Sequence, residues 1–275
     1  GTLITADSTK EDIINMMVGR VIYEDPKDHS MVAPDAPVVL KVEHLNAGKM
    51  VQDVSFELRK GEILGFSGLM GAGCTELAMS IFGKSYGTKI SGQVFMNGKE
   101  VKLNTVQEAI KNHLAYVTED RKGNGLILSN PIKINTTLAN LDAISRHTVI
   151  DKDKEYNVAV DYKNKLNTKC PTVEQNVGNL SGGNQQKVLL AKWMFTDPDI
   201  LILDEVLSVG DAKFRKKSEK KVLSMFDKGV TVLFVSHSLQ QVQRLCNKAM
   251  ILEKGKLIAY GDIDEISEQY EKMID

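Results

Sequence analysis

The residues with the clearest chemical potential form a glycine-rich segment at positions 68–75. It reads Gly-Leu-Met-Gly-Ala-Gly-Cys-Thr, follows a short apolar run at 63–66 and precedes a helix-patterned segment that stops at Gly83. Such a loop turns several backbone N–H groups toward one point, and the following helix adds the positive end of its dipole. The segment is therefore predicted to bind a polyphosphate through six residues: Gly68, Gly71, Ala72, Gly73, Cys74 and Thr75.

Two positions of this segment carry separate expectations. The Thr75 hydroxyl stands where such loops hold Mg²⁺, whereas Cys74 stands where they normally carry lysine. A helix start can lower the pKa of a thiol, but simple replacement of the lysine is the favoured interpretation. Because the lysine is the most informative residue of the pattern, an ordinary strand-to-helix turn is the alternative for this segment taken alone.

A second candidate group is the acidic pair Asp204 and Glu205, which ends an apolar run at 200–203. Acidic side chains at the carboxyl end of a parallel strand face the crevice in which ligands bind. Asp204 is placed to hold Mg²⁺ through water, and Glu205 is placed to polarise an attacking water. The alternative is a strand that merely runs into an acidic loop.

A third candidate is the string Leu-Ser-Gly-Gly-Asn-Gln-Gln at 180–186, which precedes a helical run. Ser181 is suited to cap that helix, and Gly182 and Gly183 leave backbone N–H groups open to an anion. Helix capping alone would explain the serine, but not two glycines and two glutamines in succession.

Three kinds of element are predicted to position these groups. Alternating apolar residues at 38–45, 51–58 and 94–101, the last folded about Asn97 and Gly98, indicate an early antiparallel layer. Unbroken apolar runs at 63–66, 200–203 and 230–235 indicate strands of a parallel sheet that is buried on both faces. The polar segment at about 130–179 has a helical composition. The predicted fold class is therefore α/β, with an inserted helical subdomain.

Composition narrows the classes of function. Lysine plus arginine (35) nearly balance aspartate plus glutamate (36), so no overall field would draw the chain to nucleic acid or to an anionic membrane. No apolar run approaches the roughly 18 residues of a membrane span. The first residues of the sequence also lack the basic segment followed by an apolar segment that is typical of a signal peptide. Cys74, Cys170 and Cys246 lie far apart and suggest neither a disulfide framework nor a zinc site. We expect a reducing compartment and no nucleic-acid partner.

The three segments, in this order and spacing, resemble the ATP-binding proteins of the ABC transporter family over nearly the whole chain. The resemblance implies an ABC-type P-loop ATPase fold that binds ATP and Mg²⁺, with an antiparallel β subdomain and a helical subdomain beside the parallel core. His237 matches the switch histidine of the family and would be catalytic together with Glu205. The string at 180–186 would reach the γ-phosphate of ATP on a partner module in a head-to-tail dimer. Four of its residues would contact that nucleotide: Ser181, Gly182, Gly183 and Gln185.

Residues 1–205 resemble the C-terminal nucleotide-binding module of tandem ATPases that drive monosaccharide import. The matching strings lie at 17–20, 61–66, 116–122 and 180–193. In that module the loop lysine is replaced and a glutamine that helps to hold Mg²⁺ is glutamate, as at Cys74 and Glu119. The implied partners are transmembrane permease subunits, a second nucleotide-binding module and, indirectly, a sugar-binding protein. The implied location is the cytoplasmic face of the cell membrane.

Residues 206–275 resemble instead the ATPases of polysaccharide and teichoic-acid exporters. We predict that residues 1–36 are the end of a preceding module and a linker. Residues 37–275 would be one nucleotide-binding domain, with its helical subdomain at about 130–195. Three functions stay open: the ATPase module of a sugar importer, a degenerate module that mainly completes a partner's ATP site, and the ATPase of a polysaccharide exporter.

Overall fold

A computed structural model describes residues 32–33, 35–87, 89–206 and 231–274. The predicted linker up to residue 31, the import-type string at 17–20 and the part of the exporter-like sequence at 207–230 lie outside these residues. What was predicted for those segments stays a prediction.

The described strands and helices follow one another in a mixed α/β order. The strands are β1 (Val38–Ala47), β2 (Val51–Arg59), β3 (Ile63–Ser67), β4 (Ser91–Met96), β5 (Lys99–Glu100), β6 (Leu114–Val117), β7 (Ser145–Arg146), β8 (Val149–Ile150), β9 (Ile200–Asp204), β10 (Thr231–Val235), β11 (Lys248–Glu253) and β12 (Lys256–Asp262). The α-helices are α1 (Cys74–Ile81), α2 (Val106–Lys111), α3 (Ile132–Thr137), α4 (Lys152–Lys165), α5 (Gly182–Met194), α6 (Leu239–Leu245) and α7 (Ile263–Ile274).

Five parallel strands form the centre of the main sheet, in the order β11-β3-β10-β9-β6. Every residue of β9 and of β10 is buried, as expected for strands covered on both faces. Helix α1 packs against β9 and β10, α5 against β6, and α6 against β3. The parallel core predicted from unbroken apolar runs is confirmed.

The early strands pair antiparallel, β1 with β2 and with β4, and β4 with β5. Asn97 and Gly98 both have positive φ, 50° and 74°, and form the predicted hairpin turn between β4 and β5. These strands do not form a separate sheet. They continue the ten-stranded sheet through a parallel pairing of Lys256 in β12 with Gln52 in β2.

The segment at 130–194 is largely helical. It contains α3, α4 and α5, together with short 3₁₀ turns at Leu141–Ile144 and Val177–Asn179. A two-stranded hairpin, β7 with β8, interrupts it and was not predicted. Strands of two residues show no detectable alternation of apolar and polar side chains, so the hairpin has no pattern in the sequence.

None of the helices within the described ranges combines the length and the apolar character that crossing a membrane requires.

Candidate functional site

Four strand ends meet at one edge of the parallel sheet. The glycine-rich loop follows β3, His237 follows β10 by two residues, Glu205 follows β9, and Glu119 follows β6 by two residues. Since β3, β10, β9 and β6 are consecutive parallel neighbours, their carboxyl ends lie side by side. This edge is where open α/β sheets bind ligands. The sheet order, rather than the distance along the chain, therefore brings these residues together.

The glycine-rich loop is held between two turns from distant parts of the chain. Gly71 and Gly73 have φ of 82° and 106°, a conformation that residues with a Cβ rarely adopt. A Cβ on Gly73 would also clash with the carbonyl oxygen of Met50, in the turn between β1 and β2. The N–H of Gly255, in the turn after β11, donates to the Ala72 carbonyl at 2.8 Å. Both turns thus fix the curvature of the loop that enters α1.

Cys74, the residue at the lysine position, is buried beneath the loop. Its side chain belongs to the hydrophobic core, and its Sγ would lie 3.5 Å from a Cβ placed on Gly68. Burial, together with the nearby carboxylates of Glu76, Asp204 and Glu205, raises the pKa of the Cys74 thiol to about 12. Burial therefore outweighs any effect of the helix start. Cys74 is a neutral thiol, as simple replacement of a lysine implies.

Asp204 is fully buried at the end of β9 and accepts hydrogen bonds from two hydroxyl groups. Thr75 Oγ1 donates to Oδ1 at 3.0 Å, and the Tyr116 hydroxyl donates to Oδ2 at 2.6 Å. Burial, helped by the charges of Glu119 and Glu205, outweighs the lowering effect of these bonds and raises the pKa of Asp204 to about 6. Thr75 and Asp204, each predicted to hold Mg²⁺, are thus bonded to each other, and their role in metal binding stays a prediction. Tyr116 was not predicted, because only the pairing of β6 with β9 places it there.

Glu205 and His237 are joined directly. The backbone N–H of His237 donates to Glu205 Oε1, and Glu205 reaches it from a left-handed conformation with φ of 49°. The His237 ring contacts the loop, because Nδ1 lies 3.1 Å from the Gly68 carbonyl oxygen. A carbonyl only accepts, so Nδ1 is the donor in this contact.

The string at 180–186 makes its described hydrogen bonds within the helical segment and to residue 121, none to the glycine-rich loop. Ser181 occupies the N-cap position of α5, but its side chain caps no N–H group; its hydroxyl accepts from Asn184 Nδ2 at 3.0 Å instead. Ser181 is thus the N-cap residue, as predicted, but its hydroxyl bonds to Asn184 and not to a backbone N–H group of the first turn. Gln185 is buried, and its amide donates to the carbonyls of Val177 and Leu180. This geometry favours a supporting role for Gln185, and its contact with nucleotide stays a prediction.

The donors beside the loop suit Mg²⁺ better than a metal held by protein alone. No cluster of three or more His, Cys, Asp or Glu side chains within the described part of the chain could hold a metal ion. Mg²⁺ is commonly bound through one or two carboxylates, with waters and substrate phosphates completing its shell. Thr75 and the buried, uncompensated carboxylate of Asp204 fit that pattern, with Glu119 nearby.

Comparison with known proteins agrees with this geometry. The model of the ABC transporter family matches residues 51–208. The chain is 42% identical over 226 residues to the L-arabinose transport ATP-binding protein of Geobacillus stearothermophilus, covering 82% of this chain and 44% of that protein. It is 37% identical over 271 residues to the xylose import ATP-binding protein of Thermoanaerobacter pseudethanolicus, covering 95% and 52%. The ribose import ATP-binding protein of Bacillus cereus is also 37% identical, covering 96% and 52%. The chain thus spans about half the length of the curated relatives it matches.

Solved structures share the fold at low sequence identity. A nucleotide-free ATP-binding cassette from an ABC transporter superposes with a TM-score of 0.72 at 19% identity, covering 86% of this chain and 98% of that one. The cbiO1 structure from Clostridium perfringens gives a TM-score of 0.68 at 20% identity, covering 86% and 93%.

Proposed function

Because the chain belongs to the ABC transporter family of ATP-binding proteins, we propose that it is the ATP-binding module of a sugar importer. The observation that carries the proposal is the meeting of the glycine-rich loop, Asp204, Glu205 and His237 at one edge of the sheet. The names of the relatives, which refer to arabinose, xylose and ribose, support a monosaccharide as cargo. Permease subunits, a sugar-binding protein and a place at the cytoplasmic face of the membrane belong to this proposal.

In this proposal the loop and the strand ends divide the work. The N–H groups of the loop and the start of α1 bind the phosphates of ATP. Thr75 and Asp204, with Glu119 beside them, hold Mg²⁺, which would neutralise charge on the phosphates. Glu205 orients and polarises a water, and His237, bonded to Glu205 and to the loop, acts with it. Ser181, Gly182 and Gly183 serve the ATP of a second module rather than this one.

A second candidate function is a module that mainly completes the ATP site of its partner. The specific observation in its favour is Cys74, whose buried neutral thiol supplies no cation where a lysine would contact the β- and γ-phosphates. The string at 180–183 would then be the more important half of the chain's contribution.

The proposal is tested by titrating MgATP into the full chain and into Cys74→Lys. We expect weak, saturable binding by the chain, because backbone N–H groups alone hold the phosphates. In Cys74→Lys, the new side chain is too long and too polar for the buried space that the thiol occupies, so it should extend out of that space and place its ammonium beside the phosphates. A hydrogen bond to a charged group contributes about 1.5–3 kcal/mol, so affinity should rise about 10-fold or more.

Cys170→Lys is the matched control, since it adds the same charge at a half-buried cysteine outside the loop. Its affinity should equal that of the unmodified chain. The absence of saturable binding in all three proteins, or equal affinity of Cys74→Lys and the unmodified chain, would contradict a phosphate-binding role for the loop.

A further inference from the structure

Arg121 bridges the segment after β6 to the first residue of α5. It begins a short π-helix, Arg121–Gly125, and its Nη1 donates to the Gly182 carbonyl at 3.2 Å. Both terminal nitrogens of the guanidinium would lie 3.5 Å from a Cβ placed on Gly182. The planar cation therefore lies over the glycine itself as well as bonding to its carbonyl.

Lys192 makes a second bridge at the other end of the same π-helix. It lies ten residues beyond Gly182 in α5, about 15 Å along the helix axis. Its buried ammonium donates to the Gly125 carbonyl at 2.7 Å and lies 4.7 Å from the centre of the Trp193 ring. The π-helix is thus attached to α5 through its first and its last residue.

The space between the two bridges is filled. A Cβ on Gly125 would come within 3.2 Å and 3.3 Å of the two Leu189 methyl groups, so glycine permits the close approach of the π-helix to α5. The π-helix is itself fixed by Asp120, whose Oδ1 accepts from the Gly123 N–H at 2.9 Å. Segment 120–125 and helix α5 therefore form one packed unit.

The start of α5 needs such an external anchor. No side chain caps its first turn, because the Ser181 hydroxyl is bonded to Asn184. The first N–H groups of a helix have no partner within the helix, so their direction is set by whatever holds the first turn. Among the hydrogen bonds of the described residues, the one from Arg121 to Gly182 joins this turn to the edge of the parallel sheet.

We propose that Arg121 and Lys192 are positioning residues that together align the string at 180–183 with the end of β6. The inference rests on the proposed function, in which the N–H groups of Gly182 and Gly183 close over a partner's ATP. The pair transmits any displacement of the segment at 119–125 to that string as a rigid movement. In the part of the chain that the structure describes, neither side chain has a hydrogen bond to the glycine-rich loop, so both are assigned to positioning.

The first test measures hydrogen exchange in the full chain without nucleotide. The amides to follow lie at 184–188, where the N–H groups of Asn184 and Gln185 donate to the Ser181 carbonyl at 2.9 Å. Arg121→Met and Lys192→Met should each speed exchange there about 10-fold or more, because each removes a charged hydrogen bond that holds α5 to segment 120–125. Exchange in β9 and β10 should stay unchanged.

Two lysines provide matched controls. Lys122 is the exposed neighbour of Arg121, and Lys187 lies on α5 but donates to the Asn167 carbonyl at 2.7 Å. Lys122→Met and Lys187→Met should leave exchange at Asn184 and Gln185 unchanged. If Lys192→Met fails to fold, Arg121→Met carries the test alone, since its half-buried side chain is not part of the core.

The second test separates positioning from mere stability. In an assembly with a competent partner module and permease, Arg121→Met should lower kcat about 10-fold and leave KM for ATP within about 2-fold. Arg121→Lys should recover part of the loss, because an ammonium can still donate to the Gly182 carbonyl.

Unchanged exchange in Arg121→Met, or equal effects of Arg121→Met and Lys122→Met, would overturn the proposal. The proposal would also be overturned if Arg121→Met changed kcat and the KM for ATP by similar factors and Arg121→Lys recovered none of the loss. The exchange measurement needs no nucleotide, so it distinguishes failure of this alignment from failure of ATP binding by the chain.

Discussion

At the scale of single residues, two buried groups of opposite charge are held by uncharged partners. Burial raises the pKa of Asp204 to about 6 and lowers that of Lys192 to about 8. Their hydrogen-bond partners are hydroxyls for Asp204 and a backbone carbonyl for Lys192. A buried charge without a counter-ion costs free energy, and such groups concentrate at functional sites. Both side chains therefore fit roles in binding or alignment better than a role in stability.

Lys192 gives a pH-dependent stability with a defined sign. Its pKa is about 8 in the folded chain and 10.5 as the ordinary value, so the unfolded chain binds more protons between these limits. The free energy of unfolding of the unmodified chain, relative to Lys192→Met, should therefore rise between pH 8 and 10.5. The rise should approach about 3 kcal/mol, at 1.36 kcal/mol for each pKa unit.

Urea unfolding of both proteins at pH 7.5, 9 and 10.5 checks this, and the difference between them removes the titration of other groups. A constant difference over that range would mean that the Lys192 ammonium is well solvated and not buried against Gly125.

The sequence predicts some of these residues and misses others for a physical reason. Asp204, Glu205 and His237 stand at or just after strand ends, and Thr75 follows the glycine-rich loop after β3, so their meeting follows from a parallel sheet once the strands are identified. Tyr116 and Arg121 act through contacts with residues far along the chain, and local spacing contains no trace of those contacts. The roles assigned to all of these residues in binding and catalysis stay predictions.

At the scale of elements, strand β3 carries the loop and is supported by α6. Gly65 in β3 leaves room for this helix, because a Cβ there would clash with Val242 Cγ1 and lie 2.9 Å from Cys246 Sγ. Val242 and Cys246 are fully buried. The height of α6 above the sheet is therefore set by the absence of a side chain at one position of β3.

Gly65→Ala should lower the free energy of unfolding by about 1–3 kcal/mol through overpacking. In the unmodified chain, Val242→Ala should also lower the free energy of unfolding. In the Gly65→Ala background it should lower this free energy much less, or raise it, because it removes the methyl group that clashes with the new Cβ. Urea unfolding of the two single variants and the double variant measures this coupling, expected at about 0.5–3 kcal/mol.

Gly261→Ala is the control, because a Cβ there finds its nearest neighbours at 3.7 Å, an ordinary contact. If the two substitutions were additive, α6 would not rest on Gly65.

Element prediction succeeds where apolar patterns are long and fails where they are short. The parallel strands and the β4–β5 hairpin follow from unbroken runs and from an Asn-Gly turn. The β7–β8 hairpin and the π-helix at 121–125 contain too few residues for any period to appear. The place of β3 between β10 and β11 depends on pairings across most of the chain, which no local pattern records.

At the scale of the whole molecule, the proposed function gives the chain two different halves of an ATP site. The sheet edge holds the loop and the acids, and the start of α5 presents the string at 180–183 from the helical segment. The loop lacks its cation at Cys74, whereas the string keeps both glycines. Phosphoryl transfer needs N–H donors that stabilise the spreading negative charge, so the string is the more complete of the two contributions.

We therefore expect Gly182→Asp to abolish most ATP hydrolysis in an assembly with a competent partner module and permease, and Thr75→Ala to cost much less. An aspartate at 182 fits beside the Arg121 guanidinium, so the chain should fold while a negative charge blocks the approach of a phosphate. Steady-state hydrolysis measures the effect, and thermal unfolding of each variant controls for stability. Losses in the opposite order would show that the chain runs its own ATP site.

The position of β3 also determines when the phosphate loop can take shape during synthesis. The loop at 68–75 is synthesised well before the strands that flank β3, which begin at Thr231 and Lys248, and before Gly255, which bonds to Ala72. Closing such long loops costs entropy and slows folding. A nascent chain thus carries the loop sequence without its curvature until the segment through Gly255 has been made. A chain that ends before Gly255 is therefore not expected to capture nucleotide in this loop.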